Sequence, residues 1–526
     1  MQNQLMELRE MHLLKRGKKS LITMVFSRTG LITLLLLVQF GLLLAIFMKA
    51  QRWIPHVYGL SAILSGGMVF YLINSKLEPS SRLSWMALVM ALPVFGTLFF
   101  LYANLDLGHR MLKSRLSRIH LESRNQLEQS DRAAEAFRRE NPQAANLARY
   151  LRRCGCYPVY DGTQVTYLPS GEEKFQNLVN ALEQAEKFIF LEYFIVEEGV
   201  MWGEVLSILA RKAREGVDVR VMYDGTCEFA LLPKSYPAQL EAIGIRCKVF
   251  SPVAPLVSTH YNYRDHRKIA VIDGHTAFTG GVNLADEYIN IKERFGHWKD
   301  TAVMLEGDAV RSFTLMFLQL WSIDEKAPEY HKFLSYPVKN PQNPSGFVIP
   351  YGDSPLDGER IGETVYVDLL NRAERYVHIM TPYLIIGSEM ETALCYAAKR
   401  GVDVRLILPG IPDKKIPYTL AKSHFPVLLQ AGVKIYCYTP GFVHAKSFVC
   451  DDREAVVGTI NLDYRSLYHH FECAAYLCRC DAIASIECDF LATQAKCARV
   501  TRETIRREPR AVRAAGYLLK LLAPLL

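Results

Sequence analysis

The chain has 526 residues, 50% of them hydrophobic, with 12 cysteines and a formal net charge of +8. That length is too great for one ordinary domain and points to about two to four units; the apolar content exceeds what a soluble enzyme of this size needs, so a membrane portion is expected. The cysteines all follow residue 150, at irregular separations and without paired ligand spacing, which argues against a disulfide framework and for reduced thiols.

Thr29 to Met48, TGLITLLLLVQFGLLLAIFM, is uncharged for 20 residues, about the length that crosses the hydrocarbon core as a helix. Val57 to Asn74 is a second candidate, and Leu83 to Leu105 a third that is long enough to cross even with a kink at Pro93. Residues 1–105 are therefore expected to form a membrane region with two or three transmembrane helices, making this a multi-pass protein of the cell membrane. Lys15, Arg16, Lys18 and Lys19 precede the spans, and Arg110, Lys113, Arg115 and Arg118 follow them, so the positive-inside rule divides its vote. The reduced-thiol pattern places the body behind the spans in the cytoplasm. The modest positive charge suits an anionic membrane surface or an acidic substrate.

Residues 106–155 are charged and helix-compatible, interrupted at Pro142, and read as a connector. Beyond them the chain repeats itself. ARKAREGVDVRVMYDG, ending at Gly225, matches CYAAKRGVDVRLILPG, ending at Gly410, each a helix, a glycine stop and a strand. The strand before that helix recurs as FIFLEYFIV and YVHIMTPYLI, and the strand after it as IGIRCKVF and AGVKIYCY. Strands alternating with helices predict an α/β body, and the duplicated order predicts two similar lobes, 156–335 and 336–500.

Each copy then reaches the same pattern, HRKIAVID from His266 and HAKSFVCD from His444, followed by a second apolar piece with Gly280 and Asn283 or Gly458 and Asn461. KIAVID and KSFVCD are strand candidates, and residues two apart on a strand face the same side. A neutral imidazole is a nucleophile near neutral pH, and a second, protonated one can donate to a leaving oxygen. Lys268, Lys446 and the amides of Asn283 and Asn461 can balance charge on phosphate oxygens without a metal. One such motif is weak; two with the same downstream Gly-x-x-Asn point to phosphodiester chemistry. Each imidazole also needs an acceptor for its other nitrogen, and Asp300 and Glu472, 34 and 28 residues after His266 and His444, are the candidates. His275, His469 and His470 lack the His-x-Lys spacing and read as surface or supporting residues.

On these motifs, together with LEYFIVEEGVMW, FGHWKDT, TPYL and HAKSFVCDDREAVVGTINLDYRSL, the chain resembles the phospholipase D superfamily and, within it, the bacterial cardiolipin synthase family. The resemblance implies two phospholipase D-like lobes sharing one active site. It also implies that His266 attacks the phosphorus of phosphatidylglycerol and that His444 protonates the departing glycerol, then activates a second phosphatidylglycerol. Lys268, Lys446, Asn283 and Asn461 would hold the phosphate. Asp273 and Asp451 close the motifs and count with the catalytic set by the resemblance, although at strand ends they read equally well as structural. No metal, other cofactor or nucleic acid is implied. One departure is Gly458-Thr459 where the first copy has Gly280-Gly281. Competing readings are a membrane phospholipase D that transfers to water, giving phosphatidic acid, and a phosphodiesterase or nuclease, which the apolar spans disfavour.

The tail, residues 501–526, is basic and amphipathic. Val512, Ala515, Leu519 and Leu522 recur at helical spacing beside Arg510, Arg513 and Lys520, which predicts a helix on or near the membrane surface, with docking onto the body as the alternative.

Overall fold

The computed structural model describes residues 54–75, 77–104, 107–251, 263–339 and 341–523. The first apolar stretch, Thr29 to Met48, and the basic residues before it lie outside these. The chain divides into two compact units, the smaller containing residues 1–108 and the larger almost all of the rest.

In the smaller unit the second stretch forms a helix, Ile54–Ile73. The third does not form one rod. It is broken into Pro79–Ala91 and Pro93–Asn104, because a proline lacks the N–H a continuing helix needs. The Trp85 and Phe100 rings lie 5.1 Å apart, whereas a straight helix would separate those residues by about 22 Å. The two arms thus fold back on each other, and a Cβ at Gly96 would come within 2.8 Å of the Leu88 carbonyl oxygen. Among the described residues no helix is long and apolar enough to cross a membrane, which corrects the expectation of a single span over Leu83 to Leu105.

The larger unit holds two sheets of one plan. The first runs, in spatial order, Thr163–Leu168, Ala302–Gly307, Thr276–Gly280, Lys268–Ile272, Phe188–Tyr193, Asp218–Asp224 and Arg246–Phe250. The second runs Phe347–Asp353, His470–Cys478, Glu454–Gly458, Ser447–Cys450, Tyr376–Met380, Asp403–Pro409 and Lys434–Tyr438, then adds Cys497–Arg499 at its edge. Position by position the orders coincide. The repeated glycines are the reason the helix-to-strand junctions match: Gly216, Gly244, Gly401 and Gly432 all have φ between 85° and 106°, a left-handed conformation that stops a helix cheaply only at glycine.

The motif strands are buried along their whole length, and a shared core lies between the sheets, with Val271, Ala277 and Val303 of the first packed with Val449, Val457 and Ala475 of the second. The charged stretch 106–155 forms helices Leu107–Ser123, Asp131–Glu140 and Ala145–Gly155. It is more than a connector: Ile119 and Leu127 enter the shared core and Phe137, Leu147 and Leu151 the core of the second lobe. The tail helix, Arg510–Leu522, is docked on the helix Lys415–Lys422. Gly516 lies against Thr419, Ala523 is buried with Leu420 and Tyr464, and Lys520 pairs with Glu391 at 3.2 Å. Tyr517, Leu518 and Leu521 remain exposed.

Asp273 and Asp451 explain why both motifs end in an acid. Each adopts a left-handed turn, φ 53° and 55°, and its carboxylate accepts from three successive backbone N–H groups at the start of a neighbouring strand. For Asp273 these belong to Glu186, Lys187 and Phe188, at 2.7–2.8 Å; for Asp451 to Glu374, Arg375 and Tyr376, at 2.7–2.9 Å. Their place in the catalytic set is thereby corrected to a structural one, since these carboxylates are occupied by backbone amides. Asp451→Ala leaves three donors without their acceptor and is expected to cost about 3 kcal/mol, read as a lower urea midpoint than wild type.

Candidate active site

The sequence places each histidine at the entry to a buried strand, and the chain just before it crosses to the other lobe. Arg264–Asp265 pairs in parallel with His470 and Phe471, and the His266 N–H donates to the Phe471 carbonyl at 2.9 Å. Gly441–Val443 pairs in parallel with His297–Lys299, and the His444 N–H donates to the Lys299 carbonyl at 2.7 Å. The residue after each acceptor carbonyl is an acid, Glu472 in one case and Asp300 in the other.

The result is a crossed pair of contacts. His266 Nδ1 lies 2.9 and 3.0 Å from the two Glu472 oxygens, and His444 Nδ1 lies 2.7 Å from Asp300 Oδ2. Both acids are fully buried. The expected acceptors are thus the right residues, but each serves the histidine of the other copy; sequence offset cannot show this, because it measures distance only within a copy. With Nδ1 so engaged, Nε2 of His266 is left for chemistry, whereas Nε2 of His444 lies 2.9 Å from Lys446 Nζ.

The two acids are accommodated differently, which explains the departure at 281 and 459. A Cβ on Gly281 would stand 2.0 Å from Asp300 Oδ1 and 2.8 Å from the His444 carbonyl oxygen, so only glycine leaves room there. At the matching place Thr459 donates its hydroxyl to Glu472 Oε2 and accepts from the Cys473 N–H at 3.0 Å. The second glycine is unnecessary because the hydroxyl itself becomes part of the support.

Lys268 Nζ donates to the His266 carbonyl at 2.6 Å, and Lys446 Nζ donates to the His444 carbonyl and lies 2.9 Å from the ring's Nε2. Asn283 accepts from the Ile195 N–H at 3.0 Å and donates to the Tyr288 hydroxyl at 2.7 Å, which presses the Tyr288 ring to 5.4 Å from His444. Asn461 is buried, and its Oδ1 has no protein partner. Phe194, 5.0 Å from His266, and Trp298, 5.4 Å from His444, wall the site. Phe194 and Trp298 lie in two of the segments that carry the family resemblance, LEYFIVEEGVMW and FGHWKDT, but nothing in the sequence marked them as walls of the site. Of the three histidines set aside, His275 is half-buried on the turn after its strand and His469 packs edge-on against Tyr263. His470 differs: its ring lies 5.3 Å from that of His266, on the same strand face as Glu472.

Burial sets the charges. It drives His266 well below the usual imidazole range, helped by Lys268, His470 and Lys446. It takes His444 down to about 4, helped by Lys446 and opposed by Asp300. Burial also pushes Glu472 up, against the pull of Lys268 and Thr459, whereas at Asp300 the burial effect is overcome by His444 and Lys446, and its carboxyl is lowered. Two neutral imidazoles between two lysines suit an incoming anion.

Duplicated α/β lobes with paired His-x-Lys segments meeting at one cleft define a phospholipase D-like fold and site. The family model "Cardiolipin synthase, PLD-like domain" matches residues 178–321 and 366–493. A cardiolipin synthase of Geobacillus kaustophilus is 36% identical over 94% of this chain and 98% of its own length. An uncharacterized protein of Streptococcus mutans is 55% identical over 88% of this chain and 100% of its own. Among solved structures, the phosphatidylserine synthase of Haemophilus influenzae shares the fold, with a TM-score of 0.56 at 17% identity, over 73% of this chain and 98% of that one. The chain belongs to the cardiolipin synthase family, and it is a phosphatidyltransferase of the phospholipase D type.

Burial lowers Lys446 to about 7 and Lys268 to about 8. Their ammonium charge is present below those values and lost as pH rises through them. kcat/KM, which reports the free enzyme, is therefore expected to fall as pH rises from about 7 to about 8. Lys446→Arg, whose guanidinium stays charged, should remove the lower part of that limb; an unchanged limb would assign it to another group.

Proposed function

We propose that the protein transfers a phosphatidyl group between two molecules of phosphatidylglycerol, giving cardiolipin and glycerol through a phosphohistidine on His266. The crossed His266–Glu472 and His444–Asp300 contacts are the observation that supports this most: they orient two imidazoles in one buried, lysine-bearing cleft, as a double displacement requires. His266 attacks phosphorus and the bond to the glycerol oxygen breaks; the leaving oxygen takes a proton from His444. The primary hydroxyl of the second lipid then gives its proton to His444 as its oxygen attacks phosphorus, the P–N bond breaks, and His266 is restored. Lys268, Lys446 and the two asparagine amides balance the phosphate charge. The phosphodiester anion offsets the lysines, raising the imidazole pKa values toward the range in which His444 carries its proton.

The apolar N-terminal region, the exposed Tyr517, Leu518 and Leu521 of the tail and the lipid substrate together support placement at the cell membrane, and the free cysteines of the body support the cytoplasmic side for it. Purified full-length protein given phosphatidylglycerol labelled in both headgroup and acyl chains is expected to yield cardiolipin and free glycerol in equal amounts, with and without exhaustive chelation. Phosphatidic acid as the main lipid product would make the enzyme a hydrolase instead. Loss of turnover on chelation, restored by a divalent ion, would contradict the metal-free charge balance.

A further inference from the structure

The cleft holds a third imidazole that the reaction does not use. His470 is 8% exposed, and neither of its ring nitrogens has a hydrogen-bond partner, which is unusual for a buried polar group. Its Nδ1 stands 3.6 Å from Glu472 Oε1, the same oxygen that His266 Nδ1 meets at 2.9 Å. His266, His470 and Glu472 each offer an atom within 4.8 Å of the others'. The fold dictates this cluster: His470 and Glu472 are two apart on one strand, and the parallel pairing of Arg264–Asp265 with that strand's start delivers His266 beside them.

We propose that His266, His470 and Glu472 form an inhibitory site for a borderline-soft divalent ion of the Zn2+ class, closed by ligands from both lobes; the inhibition, though not the binding, rests on His266 being the nucleophile. Two imidazoles and a carboxylate are a familiar zinc donor set that leaves a fourth position open. Bonds of about 2.0–2.1 Å in a tetrahedron put ligand atoms about 3.3 Å apart, and the distances of 2.9 and 3.6 Å to Glu472 bracket that value. Calcium and magnesium, which prefer all-oxygen shells, suit the site poorly.

The ammoniums of Lys268 and Lys446 oppose a dication and limit its affinity, so the site fills by exposure to free metal rather than holding a resident ion. Either binding mode silences the nucleophile. A metal on His266 Nε2 takes the attacking lone pair directly; a metal on Nδ1 takes that nitrogen's lone pair, and the single ring proton moves to Nε2.

The test uses metal-free full-length protein in detergent micelles, titrated with Zn2+ while thermal midpoint and phosphatidyl transfer are followed, and separately with Co2+ while visible absorption is followed. The expected result is tetrahedral Co2+ bands that saturate at one bound ion per chain, a higher thermal midpoint and lost transfer with Zn2+, and recovery on chelation. His470→Asn and His470→Gln, each referred to its own metal-free rate, should need at least about tenfold more Zn2+ for the same loss, while His469→Asn should behave as wild type. Absence of the tetrahedral spectrum in wild type, or equal Zn2+ sensitivity in both His470 variants, overturns the proposal. A Co2+ spectrum and thermal shift dependent on His470 but without inhibition would leave the site standing and refute His266 as the nucleophile.

Discussion

Each imidazole of the cleft is held by a carboxylate from the opposite copy of the repeat, and the rest of the body can be read as the apparatus that keeps these two contacts in place. The contacts are short, 2.7–3.0 Å, and fully buried at the acid. A shift of either lobe would therefore leave a desolvated carboxylate without its partner, a large penalty in a low-dielectric interior. The short parallel pairings at Arg264–Asp265 and Gly441–Val443 fix the backbone on both sides, and the shared apolar core behind them resists sliding. Neither lobe contains a complete site.

The same burial that makes the contacts strong sets the chemistry. It holds both imidazoles neutral and lowers both lysines into the range where they titrate near neutral pH. An empty cleft is thus poised, and an anion entering it supplies the charge that the protein leaves unbalanced. Binding of phosphate and creation of the proper protonation states are then one event. The aspartates that complete the motifs act at a distance from this, by gathering the backbone amides that start the neighbouring strands.

Much of this was legible from the residues. The repeat GVDVR after a helix and glycine showed the two lobes, because a left-handed glycine between helix and strand leaves a local signature. His266, Lys268, His444 and Lys446 were visible for the same reason, as a short motif written twice. What sequence could not carry was anything set by the way one copy faces the other. The crossed acids and the entry of His470 beside His266 depend on contacts across more than a hundred residues and between the lobes, while the fit of Gly281 against Asp300 and the hydroxyl of Thr459 on Glu472 lie within one lobe but matter only because those acids face the other copy's histidine. The fold-back at Pro93 was hidden for a different reason: apolar length alone reads as a span, and only the packing of Trp85 on Phe100 shows a reversal.

The central claim is that the acid partner of each histidine comes from the other copy. It is tested most directly by recording the ring-nitrogen and Nδ1-proton resonances of histidine-labelled protein, with His266 and His444 assigned by substitution, in Glu472→Gln and Asp300→Asn backgrounds. The account predicts that Glu472→Gln shifts the His266 Nδ1 proton and spares that of His444, and that Asp300→Asn does the reverse. A His266 signal that responds to Asp300 and ignores Glu472 would contradict it.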